Sequence, residues 1–353
     1  MSDLDRFFFR TWVIAPDRLA IIRMIYGIYA LTLLFPVPGW VSDLPGSWFE
    51  PPFGPMLILE STPPAWAILA VTTVAALALV AVVAGFKTKA ASLVAAGALA
   101  TLAGIEYSFG KIDHNTFMWA VPLAMAFSGW GNAISFDSRN SDEDESADTS
   151  SGWAVSLLMV LLASAMATAA IAKMRGGWLD PTYSATFGHQ LNHVFARGGD
   201  GFLARQAVDN HIGVVDEVVD WATVLFELAW IPAIFSVRWT RRVVAFAVLF
   251  HMSVALVLNI AFMANLAVYA VVVAWPVPRQ ELRHRIWVAA VAVAAVAAVA
   301  AIAGHPLARL AFAWSERGDL LVSTAVLGVA TIAAIRFGIG QIRSRPTPAP
   351  HSA

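Results

Sequence analysis

Apolar and polar positions fall into long blocks along the chain. Mostly apolar runs cover roughly residues 19–35, 65–85, 89–108, 116–134, 153–173, 217–236, 242–275, 286–303 and 319–338. Between them lie short segments rich in Pro, Gly and charge. A run of about 20 apolar residues at about 1.5 Å per residue matches a hydrocarbon core of about 30 Å. The blocks therefore predict an all-α polytopic transmembrane bundle of about nine or ten spans.

The run Arg242 to Trp275 is too long for one straight span and short for two. Arg238, Arg241 and Arg242 precede it, and Arg279, Arg283 and Arg285 follow it. Basic flanks at both ends predict a broken or hairpin-like pair. Ahead of the first span, Leu4 to Ile14 mixes Arg6 and Arg10 with Phe7, Phe8, Phe9 and Trp12. That pattern suits an interfacial amphipathic helix.

Composition strengthens the membrane assignment. Of 353 residues, 59% are hydrophobic and 13% charged, against roughly 45–50% and 25% in ordinary soluble domains. The net charge of −1 gives no field that would favour nucleic acid. The absence of cysteine excludes disulfides, thiolate metal sites and thiol relays. Lysine is scarce beside arginine, a bias that fits a GC-rich prokaryotic genome.

Charge placement sets the expected topology. The loop Pro36 to Pro64 has eight prolines and no Lys or Arg, whereas Lys87 and Lys89 sit between the next two spans. The first is expected outside and the second inside, with both termini cytoplasmic in the cell membrane. The organisation follows: a first membrane half (1–137), a disordered acidic cytoplasmic linker (138–152), a second membrane half (153–275) with an external loop at 174–215, two additional spans (276–338) and a flexible tail (339–353). The loop 174–215 holds Trp178, His189 and His193 among several apolar residues, and so predicts a packed cap.

Polar residues inside apolar blocks are costly, about 2.5–3.5 kcal/mol for a central charge, which makes them candidates for function. They are Arg23, His114 and Asn115, Lys173, Asp220 and Glu227, His251, Asn259 and Asn265. Lys173 ends an apolar run and reads either as a lysine snorkelling to the interface or as a partly desolvated amine able to act as a base. Asp220 and Glu227 are seven apart and share a helix face; Glu227 is expected to pair with Arg23, the alternative being a proton relay. His251 reads either as a structural donor or as a catalytic group. Asp113 stands where it could cap the helix that follows His114. His189 and His193 have a spacing metal sites use, but no acidic partner accompanies them, so no metal is assigned.

Four segments together resemble the HTTM (horizontally transferred transmembrane) family, whose best-known member is the vitamin K-dependent γ-carboxylase. They are RMIYG (Arg23 to Gly27), KIDHNTFMWAVPLAMAFSGWGNAISFD (Lys111 to Asp137), AIAKMRGGWLDPTYS (Ala170 to Ser184) and VLFHMSVALVLNIAFMANLAVYA (Val248 to Ala270). Order and spacing agree over roughly residues 5 to 275. The resemblance implies a catalytic base at Lys173, five residues before Trp178, with His114 in the active site and His251 a weaker candidate. Ile112 and Asp113 replace the two asparagines that precede the family's histidine, and Ser253 replaces the asparagine of the Phe-His-x-Met stretch. Asp113, Asn115, Trp178, Arg23, Glu227 and Asn259 are expected to support or bind substrate.

The resemblance further implies a vitamin K hydroquinone or menaquinol co-substrate used with O2 and CO2. Oxygenation of the quinol yields a base strong enough to deprotonate a peptide glutamate, which then takes up CO2. A small secreted or membrane-proximal peptide is the implied partner, with no lumenal substrate-binding domain expected. Two other functions fit the same residues: a non-catalytic peptide-toxin maturation, export or immunity factor, and a transporter using the discontinuity at 242–275.

Overall fold

The computed structural model describes residues 2–34, 38–110, 112, 115–139, 150–196, 203–258, 260, 262–273 and 275–303. The expected linker lies largely outside the described residues, and the expected span 319–338 and the tail lie wholly outside. The helices are α1 (Asp3–Arg10), α2 (Pro16–Leu33), α3 (Ala65–Ala84), α4 (Thr88–Tyr107), α5 (Thr116–Met125), α6 (Ser150–Arg175), α7 (Ala185–Leu191), α8 (Ala204–Asp209), α9 (Gly213–Ala233), α10 (Val237–Leu258), α11 (Met263–Val272) and α12 (Gln280–Ala303). No strand occurs among the described residues.

Five of these helices, α3, α4, α6, α10 and α12, are long and apolar enough to cross a membrane. Helices α2 and α9 have the length but carry Asp17, Arg18 and Arg23, and Asp216, Glu217, Asp220 and Glu227. The protein is a multi-pass helical membrane protein. The chain breaks within 242–275, where α10 ends at Leu258 and α11 begins at Met263. With ten residues α11 is about 15 Å long, too short to span.

The chain divides into two compact units. Of the described residues, the first takes those within Met1–Ala165 and those from 263 to 303, and the second those within Met166–Phe262. In the first, α3 and α4 form an antiparallel hairpin against which α2 and α12 pack. Gly85 takes the left-handed conformation (φ 68°) that ends α3, and the Phe86 N–H donates to Ala81 O at 3.0 Å. Asp137 caps the start of α4, accepting from the Lys87 and Thr88 amides at 2.8 and 2.7 Å. A Cβ at Gly27 would overlap Val83, so glycine allows α2 and α3 to approach closely.

Helix α5 corrects one expected boundary: the apolar run 116–134 is helical only over Thr116–Met125. Pro122 inside it has no N–H, which leaves the Met118 carbonyl without its helical donor. The Tyr26 hydroxyl fills that place at 2.5 Å. Beyond Met125 the chain turns, with Gly129 and Ile134 at positive φ. Arg23, fully buried, gathers the carbonyls of that turn: Nη1 donates to Trp130 O (2.8 Å) and Ala133 O (3.4 Å), and Nη2 to Ile134 O (2.6 Å). A guanidinium presents several donors in a fixed fork, so one side chain replaces the missing helical hydrogen bonds.

In the second unit α7 packs on α9, and α8 packs on α7 and α10. Between α7 and α8 the chain makes a π-helical turn over Asn192–Ala196. The Leu203 N–H donates to Leu256 O at 2.9 Å, tying the start of α8 to the end of α10.

Candidate functional site

Lys173 lies in the last turn of α6. The helix ends because Gly176 and Gly177 follow Arg175, and Gly177 adopts φ 83°, which costs a glycine little. The Gly176 N–H donates to Ala172 O at 2.9 Å and the Trp178 N–H to Lys173 O at 3.2 Å. This helix-ending turn folds Trp178 back, so that Lys173 Nζ lies 5.3 Å from the centre of its ring. The five-residue spacing of lysine and tryptophan is thus a consequence of how the helix stops.

Lys173 Nζ also meets Glu227 Oε1 of α9 at 2.5 Å. The lysine side chain is 22% exposed and the carboxylate side chain 9%. Glu227 Oε2 is buried and has no hydrogen-bond partner among the described residues. The arrangement overturns the expected pairing of Glu227 with Arg23. Arg23 spends its donors on backbone carbonyls of the first unit, because those carbonyls lost their own partners when α5 ended early.

Asp220, two turns before Glu227 on α9, is fully buried. It accepts from the Ala185 and Thr186 amides at 3.0 and 2.9 Å and from the Thr186 hydroxyl at 2.5 Å, capping α7. The two carboxylates share a face of α9, but they hold different segments. His251 of α10 is 3% exposed and sits among Phe226, Phe250 and Phe262, with ring centres 6.4, 5.6 and 4.7 Å away. Because Phe226 precedes Glu227, α9 supplies both the partner of Lys173 and part of the wall around His251.

Asn115 heads α5 in the first unit, half-buried, and its carbonyl accepts from Met118 N at 2.9 Å. Asp113, His114 and Asn259 lie outside the described residues. His189 stands against Trp178, ring centres 5.5 Å apart, and His193 falls in the π-helical turn. No cluster of three or more metal-ligating side chains occurs among the described residues. A cavity of about 320 Å³ lies in the first unit, lined by Thr88, Lys89, Phe127, Trp130, Asn132 and Asp137 among others. It contains none of the residues expected from the sequence to act chemically.

Two features were not anticipated from the sequence. His211 Nδ1 lies 2.6 Å from Asp216 Oδ2, and its imidazole stacks on Phe187 at 3.7 Å between ring centres. Partners five residues apart on either side of a helix start carry no recognisable spacing. In the loop after Trp178, Asp180 Oδ1 accepts from the Thr182 amide (2.9 Å) and hydroxyl (2.6 Å). These hydrogen bonds hold the Asp180 carboxyl below its usual pKa.

A family model described as the HTTM domain matches residues 13–277, which is 265 of the 353 residues. No curated protein and no solved structure matches the chain. The matched stretch begins before α2, ends after α11 and takes in Arg23, Lys173, Trp178, Glu227 and His251, and by that match the chain belongs to the HTTM domain family.

Proposed function

We propose that this membrane protein is a vitamin K-dependent carboxylase-like enzyme. It would act on a quinol-type lipid, vitamin K hydroquinone or menaquinol, with Lys173 as the base. The observation that carries the reading is the Lys173–Glu227 pair at the end of α6, with Nζ and Oε1 2.5 Å apart and Trp178 over the amine. As the free amine, Nζ donates one N–H to Glu227 Oε1 and keeps a lone pair able to take a proton from a quinol hydroxyl: the O–H bond breaks, an N–H bond forms, and the electron pair stays on oxygen.

The residues present fit a quinol head group. Glu227 Oε2 is a buried acceptor without a donor among the described residues, and the Trp178 ring offers a flat aromatic face. Glu227 orients the amine through its hydrogen bond, while Phe226 places the same helix against His251. A bound quinol would supply, with O2, the oxygenation chemistry that the carboxylase couples to deprotonation of a peptide glutamate and its uptake of CO2. The partner in this reading is a small secreted or membrane-proximal peptide. It would meet the loop 174–215 on the outer face of the cell membrane, with both termini cytoplasmic. His114 belongs to the same proposal through the family resemblance, and Asn259 as a polar residue within the overlong apolar run.

The test is quinol consumption and epoxide formation by the purified protein in nanodiscs with vitamin K hydroquinone or menaquinol and oxygen, beside a Lys173→Ala control. Turnover that falls by about 100-fold or more in the variant supports the reading, the scale expected for loss of a general base. Absence of turnover by a folded, monodisperse wild type, or equal turnover by Lys173→Ala, overturns it. A peptide maturation, export or immunity role then takes its place, with a transporter next.

A further inference from the structure

The stretch that follows Lys173 is tied to α9 at both ends. At one end Lys173 meets Glu227. At the other, the first turn of α7 donates three hydrogen bonds to Asp220, from Ala185 N, Thr186 N and Thr186 Oγ1. Between these ties the chain carries Trp178, whose ring lies near both Lys173 Nζ and His189 of α7. A buried carboxylate satisfied by several donors is a rigid anchor, since any displacement leaves it desolvated and unpaired.

We propose that Asp220 is a positioning residue for Lys173: by holding α7 on α9 it keeps His189 of α7 against Trp178 and, through it, Trp178 over the amine. Asp220 acts through α7, so its removal changes the cover over Lys173 and not the amine itself. The inference rests on the reading of Lys173 as the reactive amine, but its consequence can be measured without turnover.

The experiment is competitive amine acylation of the full-length protein in nanodiscs, read by mass spectrometry. The chain has only four lysines, and Lys87 and Lys89 in the first unit serve as internal references. In Asp220→Asn and in Thr186→Val, acylation of Lys173 relative to the references is expected to rise by about tenfold. That is the scale on which loss of a hydrogen bond to a charged group shifts an opening equilibrium. Thr186→Ser keeps the hydroxyl donor and is expected to restore wild-type acylation. Trp178→Ala is expected to raise Lys173 acylation as well, and adding Asp220→Asn to it is expected to raise it no further, because both remove the same cover.

Unchanged Lys173 acylation in folded Asp220→Asn or Thr186→Val overturns the proposal, as does a rise shared equally by Lys87 and Lys89. Additivity of Asp220→Asn and Trp178→Ala overturns it too. Should Asp220→Asn fail to fold, the pair Thr186→Val and Thr186→Ser decides. A wild type without quinol turnover but with the expected acylation pattern ends the catalytic reading and leaves the positioning role standing. Intact turnover with an unchanged pattern does the reverse.

Discussion

Breaking the Lys173–Glu227 pair from either side should have unequal costs. Removing one partner of a buried pair costs about 3–5 kcal/mol, while an exposed pair is worth about 0–1 kcal/mol. Lys173 is 22% exposed and Glu227 9%, so the two single variants fall at different points between those limits. Glu227→Leu leaves an ammonium that can turn toward water, and about 1–2 kcal/mol is expected. Lys173→Met leaves a buried carboxylate whose other oxygen already lacks a partner among the described residues, and about 3 kcal/mol is expected. The double variant has an apolar contact in place of two desolvated groups, and about 1 kcal/mol is expected. The cycle is measured by reversible unfolding in mixed micelles, followed by helical circular dichroism. A coupling of about 3 kcal/mol supports the geometry. A double variant as unstable as the sum of the singles would show that the two side chains do not depend on each other, and the reasoning would fail.

Two further outcomes test the packing of the first unit. Tyr26→Phe should cost about 1–3 kcal/mol by leaving the Met118 carbonyl without a donor, and much less in a Pro122→Ala background, where the restored N–H at position 122 can take that carbonyl; thermal melting of the four proteins checks it. Gly27→Ala should lower stability by about 1–3 kcal/mol through overlap with Val83, and Val83→Ala should recover most of the loss in the same melting assay.

Much of the membrane architecture was legible in the chain. A run of apolar residues long enough to cross a bilayer must satisfy its own backbone hydrogen bonds, which makes it helical whatever surrounds it. The helices α3, α4, α6 and α12 therefore fall close to where hydropathy places them, and the break between α10 and α11 falls inside the overlong run. The four motif segments likewise sufficed to identify the HTTM family, since that resemblance depends on order and spacing along the chain.

Partner choice was a matter for tertiary structure. Hydropathy could flag Arg23 and Glu227 as charges that need partners, and pairing them was the simplest solution in one dimension. The early end of α5 changed the accounting, because it left backbone carbonyls that the Arg23 guanidinium satisfies. Glu227 instead meets Lys173, and Asp220, on the same face of α9, meets the start of α7. Periodicity tells which face of a helix a residue occupies, because 3.6 residues per turn is a property of the backbone alone. Which side chain waits opposite that face depends on how the helices pack against one another, and no local pattern along the chain records it.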